Sequence, residues 1–181
     1  MRVVVQAETD AFASRVLKQN WPGVPNVGDA DSCRGTLSTI LERGEGQEQP
    51  PGPVAGPVLL LENVPGIRGS GLHRILQDLA TVGFDAEWFT LCSCHFGTPH
   101  HRERVYVIAY PNGNGEPFVS VHEEASRLRS VSGQVPWPDP PEDLGVDDGI
   151  PNRTHRLRCL GNAVVPQVAE WIGRRIVEAT Q

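Results

Sequence analysis

The stretch Leu59-Leu60-Leu61-Glu62-Asn63-Val64-Pro65-Gly66 constrains the fold more than any other part of the chain: an apolar run ends abruptly in a carboxylate, an amide and a Pro-Gly turn. Three leucines after Val58 suit a strand buried on both faces, as in sheets covered by helices on each side. A polar pair at the carboxyl end of such a strand lies where open α/β sheets bind ligands. Glu62 and Asn63 are therefore the first candidate site residues. The competing reading is that the pair only caps the strand, since many strand ends carry such turns.

The flanking segments place this strand in an α/β order. Arg2 to Ala7 reads as a strand, and Ala11 to Asn20 as a helix with Phe12, Val16 and Leu17 on one face and Thr9 or Asp10 as its cap. An acid at the end of such a strand, here Glu8, is where nucleoside-cofactor folds hold ribose hydroxyls. It is also where a helix dipole attracts any acid. Val27-Gly28-Asp29 is a short extended piece ending in another acid, and a helix runs from Arg34 to about Arg43. Residues 44–57 read as a flexible surface loop. Gly71 to Val82 has Leu72, Ile75, Leu76 and Leu79 on one stripe and Gly83 as C-cap. Asp85 to Leu91 and Arg104 to Tyr110 are strand-like and too closely joined for a crossover helix, so they are expected to pair antiparallel. Alternating strands and helices predict an α/β sheet with helices on both faces. Residues 110–151, rich in Pro, Gly and acids, read as an irregular arm. A helix closes the chain, with Val168, Trp171, Ile172, Ile176 and Val177 apolar.

Composition limits what this scaffold does. At 181 residues and 39% hydrophobic content a single domain over 1–181 is the expectation. No apolar run of about 18 residues occurs, so no membrane partner is expected. The net charge of −6 disfavours indiscriminate nucleic-acid binding, yet the basic residues are almost all arginine, Lys18 being the only lysine. Clusters such as Arg102/Arg104 and Arg153/Arg156/Arg158 can form a local phosphate-facing surface or a merely solvated one. Cys33, Cys92, Cys94 and Cys159 contain no Cys-x-x-Cys pair, and Cys92-x-Cys94-His95 matches no standard zinc spacing. They read as reduced thiols in an intracellular protein, with no metal.

Three motifs occur in an order that resembles the DNA cytosine-5 methyltransferases: Glu62-Asn63-Val64, His100-His101-Arg102-Glu103-Arg104-Val105 and Gly161-Asn162-Ala163-Val164-Val165-Pro166-Gln167. Glu8 through Pro22 is similar to the family's acidic second motif, Gly28-Asp29 to its third, and Arg34-Gly35-Thr36-Leu37 to the segment after its catalytic loop. The resemblance implies an incomplete Rossmann-like methyltransferase sheet, mostly parallel with one antiparallel hairpin. It implies methyl transfer from S-adenosyl-L-methionine to cytosine in double-stranded DNA, in a bacterial or phage-encoded, cytoplasmic and nucleoid-associated restriction-modification setting. By resemblance Glu62 acts on cytosine N3, Asn63 braces its loop, and Arg102 and Arg104 contact the base carbonyl and support the site. Glu8, Asp29, Asn162 and Val165 border the cofactor.

The same resemblance marks departures. The family places a Gly-rich turn before its second strand, where this chain begins, and a strand plus a Pro-Cys nucleophile loop where only Ala30 to Cys33 stand here. Cys33 has no preceding proline and abuts Arg34-Gly35-Thr36-Leu37, which disqualifies it as that nucleophile. His100 stands where glutamine is usual, and 110–151 is short for a target-recognition domain. The expectation is a truncated or degenerate member, inactive or weak alone, with a complementing polypeptide as a further partner. The alternative is a catalytically silent homologue that binds DNA or an active partner.

Overall fold

The computed structural model describes residues 6–28, 56–113, 119–128 and 162–180. The chain divides into two compact units, Met1–Thr39 with Asp139–Ala163, and Ile40–Pro138 with Val164–Gln181. The expected helix over Arg34 to Arg43 and the loop over 44–57, apart from its last two residues, lie outside the described residues, as do Asp29, Cys33, Trp137 and Cys159.

In the first unit, α1 (Ala11–Asn20) begins where the sequence places its cap. One Asp10 carboxylate oxygen accepts from the backbone N–H of Phe12 and Ala13, both at 2.9 Å, satisfying two of the amides that a helix start leaves unpaired. Gln6 and Asn26 form a parallel bridge, with Gln6 N–H donating to Pro25 and Val27 N–H to Gln6. The chain therefore goes out through α1 and returns alongside itself in the same direction.

The second unit is a three-stranded sheet. Its strands are β1 (Leu59–Asn63), β2 (Phe84–Cys92) and β3 (Glu103–Pro111), in the order β1-β3-β2. Between β1 and β2 run a single turn, α2 (Ile67–Ser70), and the amphipathic α3 (Leu72–Thr81), which ends at Gly83 with φ of 84°, a left-handed conformation that costs glycine little. The β2–β3 hairpin pairs antiparallel as the short connection requires. The expectation of a mostly parallel sheet is corrected. Both pairings of the described sheet are antiparallel, and parallel pairing among the described residues is the single Gln6–Asn26 bridge. β1 and β2 still run in the same direction, as a strand–helix–strand unit dictates, but β3 returns between them and takes the hydrogen bonds each would have given the other.

Strand parity then sorts the core, because alternate residues point to opposite faces. On one face Phe89, Leu91, Tyr106, Ile108 and Tyr110 pack with Val121 and Ala125 of α4 (Val119–Leu128) and with Val168, Ile172 and Ile176 of α5 (Pro166–Ala179). On the other, Val107 and Ala109 pack with Phe84 and with Leu72 and Leu79 of α3. Helices thus cover both faces, as expected. Two readings are corrected. The segment taken as an irregular arm contains α4, held by Arg175 Nε at 2.8 Å from Glu124 Oε2. β1 is not buried on both faces either, since it borders only β3 among the described residues and Leu60 is 43% exposed.

Ile172 is wholly buried at the centre of the α5 contact. Ile172→Ala should cost about 2–5 kcal/mol in denaturant unfolding followed by tryptophan fluorescence. A loss below about 1 kcal/mol would show that α5 does not belong to this core.

Candidate functional site

Register brings the first candidates together. In the β1–β3 ladder Glu62 pairs with Tyr106 and Asn63 with Val105, so Glu62, Tyr106 and Arg104 point to the same face, with Arg104 diagonal to Glu62. Arg104 Nε lies 3.0 Å from Glu62 Oε1, and the two side chains are only 17% and 24% exposed. The contact is an ion pair, and the Arg104 guanidinium also donates from Nη1 to the Glu103 carbonyl at 2.8 Å. Asn63 points the other way and is exposed; its Oδ1 accepts from the Val64 N–H at 2.8 Å. The Ile67 N–H then donates to the Val64 carbonyl, closing the turn into α2.

The electrostatics of the pair are set by burial. Desolvation pushes the Glu62 carboxyl above the ordinary glutamate range, against the opposing charges of Arg104 and Arg102. Desolvation outweighs the two cations and the Arg104 contact because the carboxyl is removed from water. Tyr106, which the sequence reading missed, is part of the same system. Burial and the Glu62 charge push its phenol up to about 12, with both arginines pulling the other way. The site therefore holds a carboxyl that binds its proton more tightly than an ordinary glutamate, a phenol that stays protonated, and the nearby charges of Arg102 and Arg104. On the opposite face of the sheet Leu61, Asn63, Ile67, Leu72 and Val105 line a small apolar gap against α2 and α3, which Glu62 borders.

The expected cofactor residues are distributed differently. Glu8 is partly buried; its Oε1 accepts from the Asp10 N–H at 2.7 Å, while Asn26 binds its backbone on both sides. A carboxylate has about four acceptor positions, so Glu8 keeps the donor-set chemistry that ribose hydroxyls require. Asn162 is exposed, and Val165 caps α5 and packs against the main core. Asp29 lies outside the described residues. Glu8 and Asn162 fall in the first unit, and Glu62, Arg102, Arg104 and Val165 in the second.

The loop between β2 and β3 carries the other chemically notable group. The sulfurs of Cys92 and Cys94 are joined in a disulfide, which corrects the reading of these two cysteines as reduced thiols. His101 lies beside them, and the donor atoms of the three residues all lie within 4.8 Å of one another. No helix among the described residues is long and apolar enough to cross a membrane.

Residues 55–135 match the family model described as C-5 cytosine-specific DNA methylase. The chain is 40% identical over 62 residues to the type II methyltransferase M.MspI of Moraxella sp, a match covering 32% of this chain and 15% of that protein. It is 26% identical over 112 residues to the type II methyltransferase M.DsaV of Dactylococcopsis salina, covering 58% of this chain and 32% of that one. A crystal structure of a mutant Spodoptera frugiperda DNMT2 aligns over 65% of this chain and 45% of that chain, with a TM-score of 0.43 and 18% identity. The chain thus spans less than a third of the length of these two curated relatives.

A carboxyl with a raised pKa binds its proton more tightly in the folded state than in the unfolded one. Its contribution to stability is therefore full below the ordinary glutamate pKa and is lost as pH rises through the raised one. Relative to the parent, Glu62→Gln should accordingly gain stability as pH is raised from about 4 to 7, measured by denaturant unfolding at each pH. A difference that is flat with pH, or that moves the other way, contradicts the raised pKa.

Proposed function

We propose, from the premise that this chain is related to the C-5 cytosine-specific DNA methylases over residues 55–135, that Glu62, Arg102 and Arg104 form the base-binding and base-polarising half of a DNA cytosine-5 methyltransferase site. The observation that carries this reading is the partly buried Glu62 carboxyl, its pKa raised by burial even with an arginine at 3.0 Å. Cytosine carbon-5 is a poor nucleophile until a thiolate adds at carbon-6. A carboxylic acid donating to N3 lowers the barrier to that addition by taking up the charge developing on the ring. Arg102 would bind the base carbonyl, Arg104 would hold Glu62 in place, and Asn63 would brace the turn. A target cytosine would have to leave the double helix to reach them. S-adenosyl-L-methionine would supply the methyl group, with Glu8 at its ribose hydroxyls and Asp29, Asn162 and Val165 at its other edges. Residues 1–181 would then work as one methyltransferase-like domain on bacterial or phage DNA in the cytoplasm, as a restriction-modification methyltransferase does.

The internal spacing limits what the chain does alone. Ala30 to Cys33 stand where a strand and a Pro-Cys loop would be needed, so the thiolate comes from a complementing polypeptide. The same spacing favours a second reading, a silent homologue that binds DNA or an active partner without turnover.

Purified chain incubated with methyl-labelled cofactor and cytosine-containing duplex should transfer no label. Addition of a polypeptide bearing a Pro-Cys loop should restore transfer, and Glu62→Gln should reduce it by about 10²–10⁴-fold. Transfer by the chain alone, abolished by Cys33→Ala, would overturn the missing nucleophile. Failure of complementation would leave the silent homologue.

A further inference from the structure

We infer that Cys92, Cys94 and His101 form, in the dithiol state, a binding site for a soft divalent metal ion whose chemistry fits zinc. The hairpin register assembles it. Cys92 is the last residue of β2 and pairs with Glu103, and the Ser93 N–H donates to the Arg102 carbonyl at 2.9 Å. Cys94, one residue further into the 3₁₀ turn Ser93–Phe96, therefore stands opposite His101. The loop is tied in this shape by Ser93 Oγ, which donates to the His100 carbonyl at 2.9 Å, and by Thr98 Oγ1, which donates to the same carbonyl. The two sulfurs and the imidazole nitrogen lie within 4.8 Å of one another. A tetrahedral ion with sulfur at about 2.3 Å and nitrogen at about 2.1 Å needs only small side-chain rotations from there.

Two thiolates and an imidazole are the donor set that selects zinc over hard cations such as magnesium or calcium. Three protein ligands leave the fourth position to water. The Cys94 N–H donates to Cys92 Sγ at 3.3 Å, and a donor aimed at sulfur favours the thiolate that a metal requires. Cys92 is buried and Cys94 partly so, which shields the sulfurs, while exposed His101 leaves an entry path. The disulfide and the metal are mutually exclusive states of the same sulfurs. A phosphine reductant splits the S–S bond into two thiols and is itself converted, with water, to the phosphine oxide. Zinc then replaces the two thiol protons, which pass to buffer.

The test uses the full chain. After reduction with a water-soluble phosphine and equilibration with zinc, metal analysis should find one zinc ion per chain. Cobalt in its place should give sulfur-to-metal charge-transfer absorption and the visible bands of a tetrahedral ion. His101→Ala and Cys94→Ser, both at incompletely buried positions, should each weaken zinc binding by at least about tenfold, the loss that even outer partners of metal ligands cause. Circular dichroism unchanged from the parent confirms that the variants fold. Chain kept oxidised should bind none. The proposal is overturned if the reduced parent retains no zinc, or if both variants retain it as well as the parent does.

Discussion

The structure depends on the register of β3. This strand hydrogen-bonds to β1 on one edge and to β2 on the other, and its alternating side chains supply both cores, Tyr106, Ile108 and Tyr110 toward α4 and α5 and Val107 and Ala109 toward α3. One residue of slip would exchange these two sets between faces, exposing the rings to the wrong helices and turning Arg104 away from Glu62. The same register sets Cys94 across from His101, just before the start of the strand. Core, acid–arginine pair and sulfur cluster therefore stand or fall together.

The Glu62 environment is a balance that burial wins. Two arginines act to keep the carboxyl ionised, Arg104 from 3.0 Å, yet the carboxyl takes up its proton at a higher pH than an ordinary glutamate because it is withdrawn from water. A surface pair of this kind would be worth little. In a partly buried one, as here, the cost of taking the charges out of water opposes the attraction between them. Tyr106 raises the stakes, since its phenol is held neutral partly by the Glu62 charge, so that ionisation of either group opposes ionisation of the other.

Much of this was legible from local pattern. The stripe of Leu72, Ile75, Leu76 and Leu79 with Gly83 behind it marked α3, Asp10 marked the start of α1, and the short link between the last two strands required a hairpin. Glu62 stood out because a carboxylate ended an apolar run, and the two arginines because His100 to Val105 resembles a family motif. What escaped were matters of long-range pairing. Nothing in Leu59 to Asn63 reveals that β3 will insert beside it, so the sheet order, the exposure of Leu60 and the place of Tyr106 opposite Glu62 were hidden. α4 escaped because its described core contacts, Val121, Ala125 and Leu128, are a thin stripe among polar neighbours in a segment rich in Pro, Gly and acids. His101 lies too far along the chain from Cys94 for any standard ligand spacing, and only the hairpin brings them together.

The energetic link between Glu62 and Arg104 is measured most directly by a double-mutant cycle with Glu62→Gln and Arg104→Met. Unfolding free energies of the parent, both single variants and the double variant at neutral pH should give a favourable coupling of about 1 kcal/mol or more, within the range found for residues in contact. The coupling should shrink at acid pH as the carboxyl takes up its proton. A coupling indistinguishable from zero at neutral pH, or one unchanged by acid, would contradict the account.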